Sequence, residues 1–356
     1  MMIACGHALT GCLLGTAMGD AMGLACEGLS RDRQLKFYPR LDTPRFFLWR
    51  GMTSDDTEHT CMVAQSLIVC AGDEAAFRCD FARRLRFWLL GLPAGIGLAT
   101  LRSILKLWFG FPPERSGVFS AGNGPAMRSA IIGVAYADHP ERLRALVRAS
   151  TRITHTDPKA EHGAFVVALA ARFASRRAFE TCWQTRFCES LRQEPGAGAQ
   201  ELIELVDRAR ESAHRGETTG AFAESLGLGR GVSGYVYHTV PVVMHAWFSH
   251  PLDFRKAIEP VIRCGGDTDT TAAILGGILG AAVGREGIPT EWLNRLMEWP
   301  RTVSWLEQLG GRLGEVSVSG RAQPALPLSV TGLFLRNMFF AIVVLAHGFR
   351  RLLPPY

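Results

Sequence analysis

The chain has 356 residues, of which 47% are hydrophobic and 20% charged, with a formal net charge of +6. That balance excludes a disordered chain and leaves room for one large domain or two ordinary ones. Nearly all the basic residues are arginines spread along the sequence, so no block of charge marks a nucleic-acid surface, and an anionic substrate fits the excess equally well.

The N-terminal segment MMIACGHALTGC carries a lipobox-like LTGC, but no basic region and no long apolar stretch precede it, so no export signal is expected. Gly11, Gly15, Gly19 and Gly23 then follow at intervals of four, as do Gly276, Gly280 and Gly284. Residues four apart line one ridge of a helix, so each segment offers a groove without side chains. A closely packed central helix pair is predicted, its contacts offsetting the roughly 1 kcal/mol that each interior glycine costs relative to alanine.

TSDDTEHTCMVAQSLIV comes next, and Ala64, Leu67, Ile68 and Ala71 recur at helical spacing. Breaks fall at 91–97, at FPPERSG (111–117), at EPGAG (194–198) and at GETTG (216–220), and none reads as an interdomain linker. Strand alternation and hairpin signals are scarce, so the chain is predicted to be all-α, a single multi-helix domain over residues 1–356. Nine cysteines, odd in number and without a CxxC pair or His/Cys ligand spacing, indicate neither a disulfide framework nor zinc, and point to a reducing cytoplasm. Near the end, LFLRNMFFAIVVLAHGF has an uninterrupted apolar core from Met338 to Ala346, short of the roughly 20 residues that span a bilayer. A buried terminal helix is expected, with an interfacial or partner-binding helix as the alternative.

Two segments carry the chemistry. Ser54, Asp55 and Asp56 precede one helix, and Asp267, Asp269 and Thr270 open another that has almost no other polar side chain. Capping accounts for part of this, because Ser, Thr and Asp accept from unpaired helix N–H groups and acids complement the dipole. Capping employs one acceptor, however, and leaves a second aspartate in an apolar setting where an unpaired charge is costly. If the two clusters converge, their hard oxygens suit two Mg²⁺ or Mn²⁺ ions.

Five stretches, GCLLGTAMGDAMGLACEG, TSDDT, AGNGPAMR, THTDP and CGGDTDTTAAILGGILGA, occur in this order between residues 11 and 284. Together they resemble the ADP-ribosylglycohydrolase family, which includes dinitrogenase reductase activating glycohydrolase. The resemblance implies an all-helical domain with a binuclear magnesium or manganese centre that removes ADP-ribose from a modified acceptor, arginine by default. It implies that Ser54, Asp55, Asp56, Asp267, Asp269 and Thr270 are metal ligands, and that Asp56, or else Glu27, is the catalytic acid/base. It further implies that Gly122, Asn123 and Gly124 wrap the diphosphate, that His155 lies near the substrate and that Tyr235 lines the adenosine side.

Beside that resemblance stand plainer readings: GNG as an ordinary turn, His155 and Tyr235 as core residues, Arg128 as a phosphate contact or an ion-pair partner. Ser54 replaces the usual threonine and keeps the hydroxyl, Phe119 to Ala121 are atypical, and no motif matches beyond about residue 300. An isoprenoid-synthase-like diphosphate enzyme would favour DDxxD, whereas Glu58 and His59 occupy the third and fourth positions after Asp55. ADP-ribosyl-serine, a nucleobase or a free ADP-ribose derivative remains an alternative substrate, and an ADP-ribose-binding protein without turnover an alternative function.

Overall fold

In the computed structural model, which describes residues 2–176, 179, 182–193 and 199–354, the predicted helix pair forms the centre of the molecule. The N-terminal helix Met2–Gly23 runs antiparallel to the helix Thr268–Val283, glycine against backbone. A Cβ at Gly11 would lie 2.1 Å from the Gly280 carbonyl oxygen, at Gly15 2.1 Å from that of Gly276, and at Gly19 1.9 Å from that of Ala272. The four-residue spacing therefore lets two backbones touch, and no side chain fits between them.

Around this pair pack the helices Asp55–Cys70, Pro158–Ser175, Val236–Ser249 and Val303–Ser319, with Glu74–Leu90 packed in turn on Asp55–Cys70. One continuous apolar core runs from Ala8 to Leu326, so the breaks at 91–97, 111–117 and 216–220 connect elements of one body and do not divide it into two domains. EPGAG (194–198) lies outside the described residues. No strand occurs among the described residues, only isolated bridges such as Gly122 with Tyr235 and Val232 with Gly266. No disulfide joins the cysteines whose side chains are described.

The terminal helix departs from expectation. It extends over 22 residues, Val330–Arg351, and its apolar side chains largely face outward: Ile342 is 65% exposed, Leu345 61% and Phe349 68%. Its buried positions include Arg336 and Asn337, with Phe340 and Val343 joining Leu24, Ala25, Phe46 and Met52 in a small satellite core. The expected burial of the apolar run fails because only one side meets the domain, and there the charged partners of Arg336 wait.

Candidate metal centre

The carboxylate clusters meet at the end of the central helix pair where Gly23 faces Thr268. Ser54 has extended backbone and caps Asp55–Cys70, its Oγ accepting from the Asp56 N–H at 3.3 Å and donating to Asp56 Oδ2 at 3.0 Å. Thr270 Oγ1 donates to the same Oδ2 at 3.2 Å, which joins the two helix starts directly. Asp267 occupies the cap position of Thr268–Val283 yet makes no capping bond, so that carboxylate is left for other work. Gly265 and Gly266 both have positive φ, +77° and +80°, and a Cβ at Gly266 would lie 2.0 Å from the Val232 carbonyl oxygen. Only glycine permits that approach, which explains the collar before Asp267.

Asp20 joins them from the N-terminal helix. Its oxygens accept from the Ser54 N–H at 3.0 and 2.9 Å, from the Thr57 N–H at 3.2 Å and from Thr57 Oγ1 at 2.5 Å. Ligand oxygens of Asp20, Asp56 and Asp269 lie within 4.8 Å of one another, all three residues being buried. The sequence reading assigned Asp20 no role. Its signal was present, a single acid following Gly19 on the face that must pack against another helix.

Asp56 Oδ1 and Asp269 Oδ1 are buried without any protein donor. Burial first, and then the neighbouring Asp20, Asp55 and Asp267, hold the Asp56 carboxyl well above the usual range. Burial and the charges of Glu27, Asp267, Asp56 and Asp20 do the same to Asp269, and burial with Asp20, Glu58 and Glu27 to Asp55. Asp20 is pushed up to about 7 by burial, against the hydrogen bonds from Thr57 and Ser54. Crowded, unpaired carboxylates of this kind fit hard divalent cations, which supply the missing positive charge through oxygen ligands.

Glu27 stands at the rim. The residue is exposed overall, but partial enclosure of its carboxyl and the adjacent Asp267 push it above its ordinary value, with Arg351 pulling the other way. Asn123 bridges from the glycine loop, its Nδ2 donating to Asp267 Oδ2 at 2.7 Å and to Thr239 Oγ1 at 2.9 Å. The loop is seated on His155, whose Nε2 would be 3.0 Å from a Cβ at Gly122, while a Cβ at Gly124 would lie 3.2 Å from the ring's Cε1. Burial, with Arg128 nearby, lowers the imidazole to about 3 and keeps it neutral. Tyr235 pairs with the loop through its bridge to Gly122, and Lys159 Nζ donates to its hydroxyl at 2.9 Å. The structure thus brings every predicted site residue to one end of the helix pair.

Arg128 is neither a phosphate arm nor an ion-pair partner. Fully buried, it donates to the carbonyl oxygens of Gly124 and Ser150 at 3.2 and 2.9 Å and to Thr154 Oγ1 at 2.7 Å, and burial lowers it to about 9. Glu58, the nearest approach to a DDxxD third acid, points away into ion pairs with Arg301 and Arg336. A separate cavity of about 550 Å³, lined in part by Glu141, Arg148, Arg152 and Glu161, contains none of the site residues.

Residues 6–322 match the family model described as ADP-ribosylglycohydrolase. The chain is 25% identical over 295 residues to the ADP-ribosyl-[dinitrogen reductase] glycohydrolase of Rhodospirillum rubrum, covering 80% of this chain and 89% of the relative. It is 27% identical over 321 residues to the ADP-ribosylarginine hydrolase Tri1 of Serratia proteamaculans, covering 84% and 78%. A solved ADP-ribosylglycohydrolase-related protein complex superposes with a TM-score of 0.65 at 26% identity, covering 88% of this chain and 99% of the other.

Proposed function

The chain belongs to the ADP-ribosylglycohydrolase family, and from that premise we propose that it removes ADP-ribose from a mono-ADP-ribosylated protein, with arginine as the acceptor, at a centre of two Mg²⁺ or Mn²⁺ ions. The observation that carries the metal reading is the pair of buried, donorless oxygens, Asp56 Oδ1 and Asp269 Oδ1, in a cluster of like charge. Asp55, Asp56, Asp267 and Asp269 supply the carboxylates that hold the ions, with the Ser54 and Thr270 hydroxyls beside them. Asp20, whose oxygens already accept four hydrogen bonds, orders the Ser54–Thr57 turn. When bound, the ions supply positive charge that orients the hydroxyls of the distal ribose. Arginine is favoured as the acceptor because the Serratia relative is an ADP-ribosylarginine hydrolase.

The rest is the work of this chain's own groups. Gly122 and Gly124 present backbone N–H groups to the diphosphate, Asn123 fixes their loop through Asp267, Thr239 and the Gly234 carbonyl, His155 supports them from beneath, and Tyr235 borders the adenosine side. Water attacks C1″ of the ribose through a transition state with oxocarbenium character, the bond to the acceptor breaks, and one proton must leave the water while the acceptor gains one. Asp56 is tied into the ligand set by Ser54 and Thr270, whereas Glu27 sits at the rim with its carboxyl held above its ordinary value by partial enclosure and Asp267. Glu27 therefore suits the proton transfer better. Glu27→Gln is expected to lower kcat by about 10²-fold or more with Mn²⁺ affinity retained, measured by steady-state kinetics and calorimetry side by side.

The direct test is release of ADP-ribose from arginine-linked and serine-linked substrates in parallel, with Mg²⁺, Mn²⁺ or EDTA. Release from the arginine linkage that EDTA abolishes is expected. Release that survives EDTA removes the metal reading, and binding of ADP-ribose with no release from either linkage removes turnover.

A pH dependence also follows. The centre's carboxyls have raised values in the folded chain, so the proton-bound form is favoured there, and their contribution to stability is largest in acid. For Asp20 it is lost as pH rises from about 4 through about 7. Metal-free protein is therefore expected to lose thermal stability across that window, and added Mg²⁺ to restore more of it at the alkaline end. At a hundredfold excess over Kd the restoration is about 2.7 kcal/mol. An Mg²⁺ effect independent of pH in a thermal melt would contradict the assignment.

A further inference from the structure

The helix Val330–Arg351 lies beyond the family match, which ends at residue 322. Its inner face nevertheless reaches the back of the metal centre. We propose that Arg336 is a positioning residue for that centre: it fixes the Thr53–Ser54 backbone that aims Asp56 at the ions, making the terminal helix part of the site's scaffold. The proposal rests on the metal-centre reading above.

Both backbone polar groups of Thr53 are held from behind. Its N–H donates to Glu298 Oε2 at 3.2 Å, and its carbonyl oxygen accepts from Arg336 Nη2. Those two side chains are themselves locked together, Arg336 Nη2 donating to Glu298 Oε2 at 2.9 Å and Nε lying 2.8 Å from Oε1. Arg336 Nη1 is also 3.5 Å from Glu58 Oε1, which Arg301 Nη1 approaches to 2.7 Å. Two buried carboxylates and two buried guanidiniums thus stand directly behind Thr53. One residue on, the Ser54 N–H is taken by Asp20 and the Ser54 hydroxyl by Asp56. The turn is gripped by the ion cluster on one side and by the centre's carboxylates on the other.

The terminal helix is built to place this guanidinium. Gly332 allows it close to Trp299, where a Cβ would lie 2.7 Å from the ring. Asn337 Nδ2 donates to the Gly91 carbonyl at 2.8 Å, and the guanidinium rests 4.4 Å over the Phe340 ring. Glu298, Glu58 and the Thr53 carbonyl are served by one planar fork, which the single ammonium of lysine cannot reproduce.

Arg336→Met, Arg336→Lys and the double variant Glu298→Gln/Arg336→Met separate positioning from charge balance. In metal-free protein, hydrogen exchange over residues 51–57 is expected to accelerate in Arg336→Met while helical circular dichroism is retained. Calorimetric Mn²⁺ affinity is expected to fall about tenfold or more, as when an outer-shell partner of a ligand is lost. Lysine should recover little of it. The double variant, which strands no buried charge, should recover thermal stability but not Mn²⁺ affinity. Parent affinity and parent exchange in Arg336→Met overturn the proposal, and so does recovery of both stability and affinity in the double variant. If Arg336→Met fails to fold, parent Mn²⁺ affinity in the double variant overturns it alone. Absence of Mn²⁺ binding by the parent protein would instead sink the metal-centre reading, and exchange over residues 51–57 would still test the clamp.

Discussion

Asp269→Asn and Asp56→Asn are each expected to abolish metal-supported hydrolysis, lowering turnover on the order of 10³-fold or more, given that even an outer-shell partner is worth roughly 10–100-fold. The substitutions keep the shape of the side chain and remove one ligand charge. Because both carboxyls are buried among Asp20, Asp267 and each other, removing a charge relieves repulsion in the metal-free chain. Stability and activity should therefore move in opposite directions. Thermal melting in EDTA at neutral pH should be unchanged or raised, while the increment on adding Mn²⁺ shrinks or disappears. A merely structural aspartate would lose stability in both conditions. Either variant turning over at the parent rate with its ions bound would refute the ligand assignment.

Gly15→Ala is expected to destabilise the fold by about 3 kcal/mol or more. In an exposed helix interior the same change gains up to about 1 kcal/mol, because alanine is the better helix former. Here the sign reverses. The added Cβ would lie 2.1 Å from the Gly276 carbonyl oxygen, an atom of a fully buried helix that cannot move without carrying Asp269 and Thr270 with it. Gly311→Ala in the helix Val303–Ser319 is the internal control, since a Cβ there has nothing within 4 Å, and it should stabilise modestly. Urea denaturation of the two variants checks the contrast. Equal stability of Gly15→Ala and the parent would show that the helix pair can separate at little cost.

A backbone period is visible in a sequence, and a backbone contact was what these glycines served. Their spacing announced two bare ridges, and the absence of other polar groups around Asp267 and Asp269 announced carboxylates that capping alone could not account for. Both inferences need only local regularities. The pairing register, with Gly15 on Gly276 and Gly19 on Ala272, is a long-range fact. It delivers Asp20 to the Ser54–Thr57 turn, and no local rule distinguishes that aspartate from a surface acid.

Arg128 and the terminal helix show the same division more sharply. An arginine following a glycine loop suggests a phosphate or a carboxylate partner, but in the folded chain four oxygens from carbonyls and hydroxyls enclose it. In Val330–Arg351 the apolar run suggested burial, and the structure turns the helix the other way. Leaving Leu345 or Phe349 in water forgoes roughly 1.5–3 kcal/mol each, whereas leaving the buried Glu58 and Glu298 with fewer counter-charges costs more for a single residue. The sequence by itself determined the helices, the glycine faces and the carboxylate groups, because these depend on period and residue type. Which faces meet, and which buried charges therefore require a partner, only the tertiary structure decided, since both depend on distances between residues far apart in the chain, from 34 positions for Asp20 and Ser54 to 283 for Arg336 and Thr53.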